Sequence, residues 1–121
     1  MSHTKIKYLK LDDNLIGNKG LENLSVGLRT NPFVTKLSLK YCGIDAKGVK
    51  YLQDILANIH SKIRSIKLQG NPLRNEGIFQ FLRVVELNEV LEKVNIADTG
   101  LSLIDFVSKN LYVVDENYID E

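Results

Sequence analysis

The 121-residue sequence predicts an α/β solenoid: a right-handed βα superhelix bent into a short horseshoe, with a parallel sheet on its concave face and helices on its convex face. Three observations carry that expectation. One apolar pattern recurs at an almost constant period, first residues Ile6, Val34, Ile63 and Leu91, so the steps are 28, 29 and 28 residues. Each copy carries, three residues after its first, a pair of apolar residues two apart, the period of a strand with one buried face. Each of the first three copies then changes to apolar residues three and four apart, the period of an amphipathic helix. A fixed period of this length describes units that cannot bury their apolar faces alone and do so against their neighbours.

In the first unit, Leu9 and Leu11 alternate with Tyr8, Lys10 and Asp12, Ile6 stands three residues before Leu9, and Ile16 follows a polar turn at Asn14. The second unit repeats this as Val34, Leu37, Leu39, Cys42 and Ile44. The third has Ile63, Ile66, Leu68, Asn71 and Leu73, and the fourth Leu91, Val94, Ile96, Thr99 and Leu101. Strands are expected near residues 8–12, 36–40, 65–69 and 93–97, joined in parallel because a helical crossover separates each pair. Asn14, Cys42, Asn71 and Thr99 share the position where the chain leaves the strand. A short donor there can satisfy backbone carbonyls in a buried turn, which gives Cys42 a structural role rather than a redox or catalytic one.

The helices follow from three stripes: Leu21, Leu24 and Leu28; Val49, Leu52 and Leu56; Ile78, Phe81 and Val85. Gly20, Gly48 and Gly77 recur near the helix starts, where a missing side chain lets one helix lie close to the next. Asn31-Pro32 and Ser61-Lys62 return the chain to the following strand. Asn23-Leu24-Ser25 has the form of a glycosylation acceptor, but Leu24 belongs to a core stripe.

The fourth unit departs from the rest. Asp105 replaces the helix glycine and Lys109 replaces an apolar stripe residue, so a short helix ending near Asn110 is expected. Leu111–Val114 has strand character and only 20 residues separate Leu111 from Leu91, which predicts a truncated closing strand. The acidic stretch 115–121 would then either cap the sheet or remain solvated. The expected organisation is one domain, 1–121, with repeats at about 6–33, 34–62, 63–90 and 91–110 and a cap strand with acidic tail at 111–121. At the other end almost nothing precedes Ile6, which leaves strand 1 as an open edge suited to self-association, to upstream repeats or to a partner.

The pattern L-x-x-L-x-L-x-x-(N/C)-x-L, as carried by these four segments, resembles leucine-rich repeats. Full helices and a period of 28–29 residues make the resemblance one to the ribonuclease-inhibitor-like class, across roughly residues 6–104. It implies a surface that binds protein partners. The class also contains the Ran GTPase-activating protein, which makes a GTPase activator the alternative function, separable by a GTP-hydrolysis assay.

Composition narrows the classes further. The chain is 44% hydrophobic and 26% charged, ordinary for a globular domain, and its net charge of +1 implies no global pull on nucleic acid or membrane. Cys42 is the single cysteine, so no internal disulfide forms, and a cytoplasmic or nuclear setting is expected. No apolar run reaches membrane-spanning length. His3 and His60 have no ligand-spaced partners, and no phosphate-binding glycine motif occurs, so no metal, cofactor or catalytic residue is expected and the chain reads as non-enzymatic.

The surface of interest is the expected concave face. Its rows are Tyr8, Lys36, Ser65 and Lys93; Lys10, Ser38, Lys67 and Asn95; and Asp12, Lys40, Gln69 and Ala97. Five lysines against one aspartate make it basic. Tyr8, Lys10, Lys36, Lys40, Lys67 and Lys93 are the candidate contacts for an acidic protein partner. The competing reading is that lysines merely keep an exposed sheet soluble. Nucleic acid fits poorly, since the face has no arginine and few aromatics.

Overall fold

The computed structural model describes residues 5–100 and the backbone of 112–114. The chain runs β1 (Tyr8–Lys10), α1 (Gly17–Leu28), β2 (Lys36–Ser38), a 3-10 turn (Ala46–Gly48), α2 (Val49–Leu56), β3 (Ser65–Lys67), α3 (Arg74–Leu87), β4 (Lys93–Asn95) and β5 (Tyr112–Val114). The five strands form one parallel sheet in chain order. Leu9 pairs with Leu37, Leu37 with Ile66 and Ile66 with Val94, so residues one period apart stand side by side. This is the expected solenoid, with strands on one face and helices on the other.

Each of β1 to β4 is three residues long rather than the five expected, yet the bonding continues past the ends of β1 and β2. Leu11 N–H donates to Ser38 O at 2.9 Å, Asp13 N–H to Lys40 O at 2.8 Å and Tyr41 N–H to Gln69 O at 2.9 Å. The chain turns away immediately after these bonds. Asp13, Tyr41, Gly70 and Asp98, all at one motif position, have φ between 53 and 76°. Three of the four lack glycine's freedom there, and the left-handed conformation costs each about 1–2 kcal/mol; inter-repeat bonds from their own N–H groups hold Asp13 and Tyr41 in it.

The core lies between sheet and helices. Leu37 and Ile66 are fully buried and Val94 is 1% exposed; Leu39 and Leu68 fill the next layer. From the helices, Leu21, Leu52, Ile55, Ile78 and Phe81 meet them. Burying a side chain of this size contributes about 1.5–3 kcal/mol. The helix glycines do what their spacing suggests in the second and third units. A Cβ on Gly48 would overlap Asn18 Oδ1, and one on Gly77 would sit 3.2 Å from Ala46 Cα, both residues of the preceding unit.

The turn position behaves as a set. Asn14 Nδ2 donates to Leu11 O at 2.9 Å, Cys42 Sγ to Leu11 O at 3.3 Å, Asn71 Nδ2 to Leu39 O at 2.7 Å and Thr99 Oγ1 to Ile96 O at 2.8 Å. Burial pushes the Cys42 thiol above its ordinary pKa, which suits a weak donor and not a nucleophile. On the return side, Asn31 and Asn88 accept from the N–H groups two and three residues on, closing the loops before β2 and β4. The helix expected after Leu101, with Asp105 and Lys109, and the acidic stretch 115–121 lie outside the described residues.

Candidate functional site

The face of the sheet opposite the helices is assembled from single residues contributed one period apart. Parallel pairing aligns Tyr8, Lys36, Ser65 and Lys93 in one row, because each pair is in direct register. The same pairing aligns Lys10, Ser38, Lys67 and Asn95 in the next. Lys10 is exposed, Lys36, Lys40 and Lys93 are half-buried, and Tyr8 is 43% exposed.

Tyr8 organises the first rows. The Lys36 ammonium lies 4.8 Å from the centre of its ring and the Lys67 ammonium 5.4 Å. Lys67 Nζ also donates to the Tyr8 hydroxyl at 3.4 Å. The electron-rich ring face attracts both cations, and each such contact contributes about 0.5–2 kcal/mol depending on how far the cation is desolvated. One tyrosine on β1 thereby reaches side chains of β2 and β3.

Lys67 differs from the expectation of an exposed contact residue: it is 3% exposed. Ser38 and Asn95, its row neighbours, are equally covered. Tyr8 lies over Lys67, so the middle of this row is covered, while Lys10 at its β1 end stays exposed. Lys67 is therefore part of the floor of the face.

Asp12 is the negative counterweight. Its Oδ1 accepts from Ser38 Oγ at 2.6 Å and from Lys40 N–H at 2.9 Å, and Oδ2 lies 4.0 Å from Lys10 Nζ. The carboxylate side chain is 7% exposed, so its charge is spent tying β1 to β2. Sequence reasoning placed Asp12 on this face without seeing that role; a carboxylate one row from serine was the available signal. Ser65 Oγ and Gln69 Oε1, also on this face, are buried without a hydrogen-bond partner.

At the rim, Tyr41 lies over Gly70, whose Cβ would overlap the ring, and its hydroxyl donates to Asp98 Oδ2 at 3.2 Å. Between α1 and the 3-10 turn, Asn18 Nδ2 donates to Asp45 Oδ1 at 2.7 Å. That bond, followed by the Lys47 N–H, holds the Asp45 carboxyl below its ordinary pKa. Clefts of about 620 Å³, beside Asp45 and Arg74, and about 350 Å³, beside Asn58 and Asn88, lie away from the concave face.

Among the described residues, no cluster of His, Cys, Asp and Glu could hold a metal ion, and no helix is long and apolar enough to cross a membrane. The concave face presents positive charge and an aromatic surface at a spacing fixed by the strand register.

The family model described as Leucine Rich repeat matches residues 2–25 and 30–52. No curated protein matches the chain. The two matched segments cover β1 with α1 and β2 with the start of α2, and β3 with α3 repeats the same arrangement one period later, so the chain has the fold of a leucine-rich-repeat solenoid.

Proposed function

We propose that this protein is a non-enzymatic interaction module of the ribonuclease-inhibitor-like class, whose concave face docks an acidic segment of a protein partner. The observation that carries the reading is the row Tyr8, Lys36, Ser65 and Lys93, held in register on four neighbouring strands with Lys10 and Lys40 beside it. Strands lie about 4.8 Å apart, so the row offers cations over a span that an extended peptide laid across the strands can follow. Partner carboxylates would meet lysines, and apolar side chains would meet Tyr8. The setting is a reducing compartment, cytoplasmic or nuclear: Cys42 is buried and donates to the carbonyls of Leu11 and Lys40, a role that needs a free thiol. The reading includes self-association through the open edge of β1.

The test uses a labelled peptide alternating Glu with Leu, with its Lys-for-Glu counterpart as control, followed by fluorescence anisotropy. Wild type should bind the acidic peptide, with affinity falling as salt rises because exposed charges are screened over about 10 Å at 0.1 M. Replacing Lys36, Lys40 and Lys93 together by Glu should abolish binding and leave the circular dichroism spectrum unchanged. Equal affinity of wild type and triple variant would leave the lysines as solubilising residues only. Lys67 is left intact because a carboxylate in its buried position would perturb the fold.

A further inference from the structure

The first unit exposes what every later unit buries. Ile6 is 46% exposed, whereas Val34, Ile63 and Leu91 at the same position are 3%, 3% and 6% exposed. Leu9 and Leu11 are half-buried, and their counterparts Leu37, Leu39, Ile66 and Leu68 are fully buried. On α1, Leu24 is half-buried where Leu52 and Phe81 are fully covered. A Cβ on Gly27 would meet nothing within 4 Å, while Ile55, one period later, is fully buried. Gly20, Leu24 and Gly27 follow a spacing of four and three, so they form one face of α1. Asn18, which bonds to Asp45 of the second unit, lies on the other side of the helix. The exposed face is therefore the same surface that units two and three use against their predecessors.

We infer that this face is a homodimer interface in which β1 strands of two copies pair antiparallel across a two-fold axis, Leu9 opposite Leu9, with the Gly20–Leu24–Gly27 face of α1 packed on its mate. The inference rests on the self-association reading and gives it a geometry. The backbone is ready for the pairing. Leu11 and Asp13 direct their N–H groups to β2 and Lys7 directs its carbonyl there, accepting from Thr35 N–H at 2.8 Å. Alternation then turns the peptide groups of Tyr8 and Lys10 to the open edge.

Charge selects both the occupant and the register. With Leu9 opposite Leu9, Tyr8 faces Lys10 of the second copy on the outer surface, twice by symmetry. This repeats the ammonium–ring contact that Tyr8 already makes with Lys36 and Lys67. Lys5 falls opposite Asp13. A slip of two residues in one direction would oppose Lys10 to Lys10, a destabilising like-charge pair, and in the other would oppose Tyr8 to Tyr8 and lose both ammonium–ring contacts. A slip of one would turn the apolar residues to the wrong side. The symmetric pairing uses one patch on both copies, so assembly stops at two and joins two five-stranded sheets. Gly20 and Gly27 carry no side chain, which allows the two helices to approach closely.

Sedimentation velocity on the full chain tests the inference. Wild type should be dimeric at about 100 μM, a concentration well above that needed for a micromolar complex. Leu24→Glu should raise the dissociation constant at least about tenfold, as loss of a central apolar anchor does. Leu9→Cys should form an intermolecular disulfide under mild oxidation, since residues facing each other across antiparallel strands have a Cα separation within disulfide range. Leu15→Cys, at an exposed loop position, should not. The concave Lys36, Lys40 and Lys93 variant should dimerise normally, which separates this interface from the peptide site. A wild-type chain that stays monomeric would overturn both the self-association reading and this geometry. A dimer that survives Leu24→Glu and gives no Leu9→Cys cross-link would overturn the geometry alone.

Discussion

Asn71 is the residue whose removal should cost the most for its size. It is fully buried and uses all four of its hydrogen-bonding sites. Nδ2 donates to Leu39 O at 2.7 Å and to Leu68 O at 3.0 Å, while Oδ1 accepts from Cys42 N–H and Ile44 N–H, each at 3.0 Å. Three of these partners belong to the second unit, so Asn71 joins two repeats through the interior. Asn71→Ala would strand two backbone donors where water does not reach. At about 1–3 kcal/mol for each unsatisfied buried group, partly relieved by local relaxation, the variant should lose about 3–5 kcal/mol. Asn14 supplies the control. It occupies the same motif position, but it is exposed and its Nδ2 donates only to carbonyls of its own unit, Leu11 and Asp12. Water can replace both bonds, so Asn14→Ala should cost about 0.5–1.5 kcal/mol. Urea unfolding followed by circular dichroism at 222 nm, with slopes compared between variants, measures both. Equal losses at the two positions would show that the asparagine matters for its own turn and not for linking units.

Gly70→Ala should destabilise more than Gly43→Ala. Both have φ near 75°, but the new methyl overlaps the Tyr41 ring at position 70 and meets only the exposed Leu15 Cδ2, 2.9 Å away, at position 43. The common backbone cost is about 1–2 kcal/mol, and the difference in Tm between the variants reports the displaced Tyr41 and its bond to Asp98. Asn18→Ala should lower stability in a pH-dependent way. The Asp45 carboxyl has a lowered folded-state pKa, chiefly because of the Asn18 bond, so its contribution is present above the ordinary value of 3.8 and lost as pH falls through the folded value. The stability gap between wild type and Asn18→Ala, measured by urea unfolding, should be open at pH 6 and narrow below pH 3.8. A gap that stays constant with pH would assign the bond to packing alone.

The repeating part of the fold was readable because it depends on local spacing. The 28- and 29-residue steps put Leu9, Leu37, Ile66 and Val94 in one ladder, and the turn position called for short donors, which Asn14, Cys42, Asn71 and Thr99 are. Features that arise from side-chain contacts between strands were not readable. Lys67 looks like an exposed strand lysine until Tyr8, 59 residues away, is placed over it. Asp12 looks like a surface carboxylate until Ser38 and the Lys40 N–H close on it. Strand length was overestimated because alternation continues through Leu11 and Asp12 while the backbone turns at Asp13, directly after them. The identity of the concave face was thus legible, and the division of its lysines between floor and accessible rows was not.

The shared register between neighbouring strands also bears on how such a chain can change length. Tyr8 pairs with Lys36 as Lys36 pairs with Ser65, so each unit presents its predecessor with the same backbone pattern. An unequal recombination that removes one whole period would bring β1 beside β3 with Leu9 opposite Ile66 and every peptide group again facing a partner. Duplication of a period would do the same in reverse. A deletion of two or three residues inside a strand would instead misalign all bonds across that junction. Gain and loss of complete units is therefore the inexpensive route for this architecture, and it lengthens or shortens the concave face one row-residue at a time while leaving the remaining joints as they were.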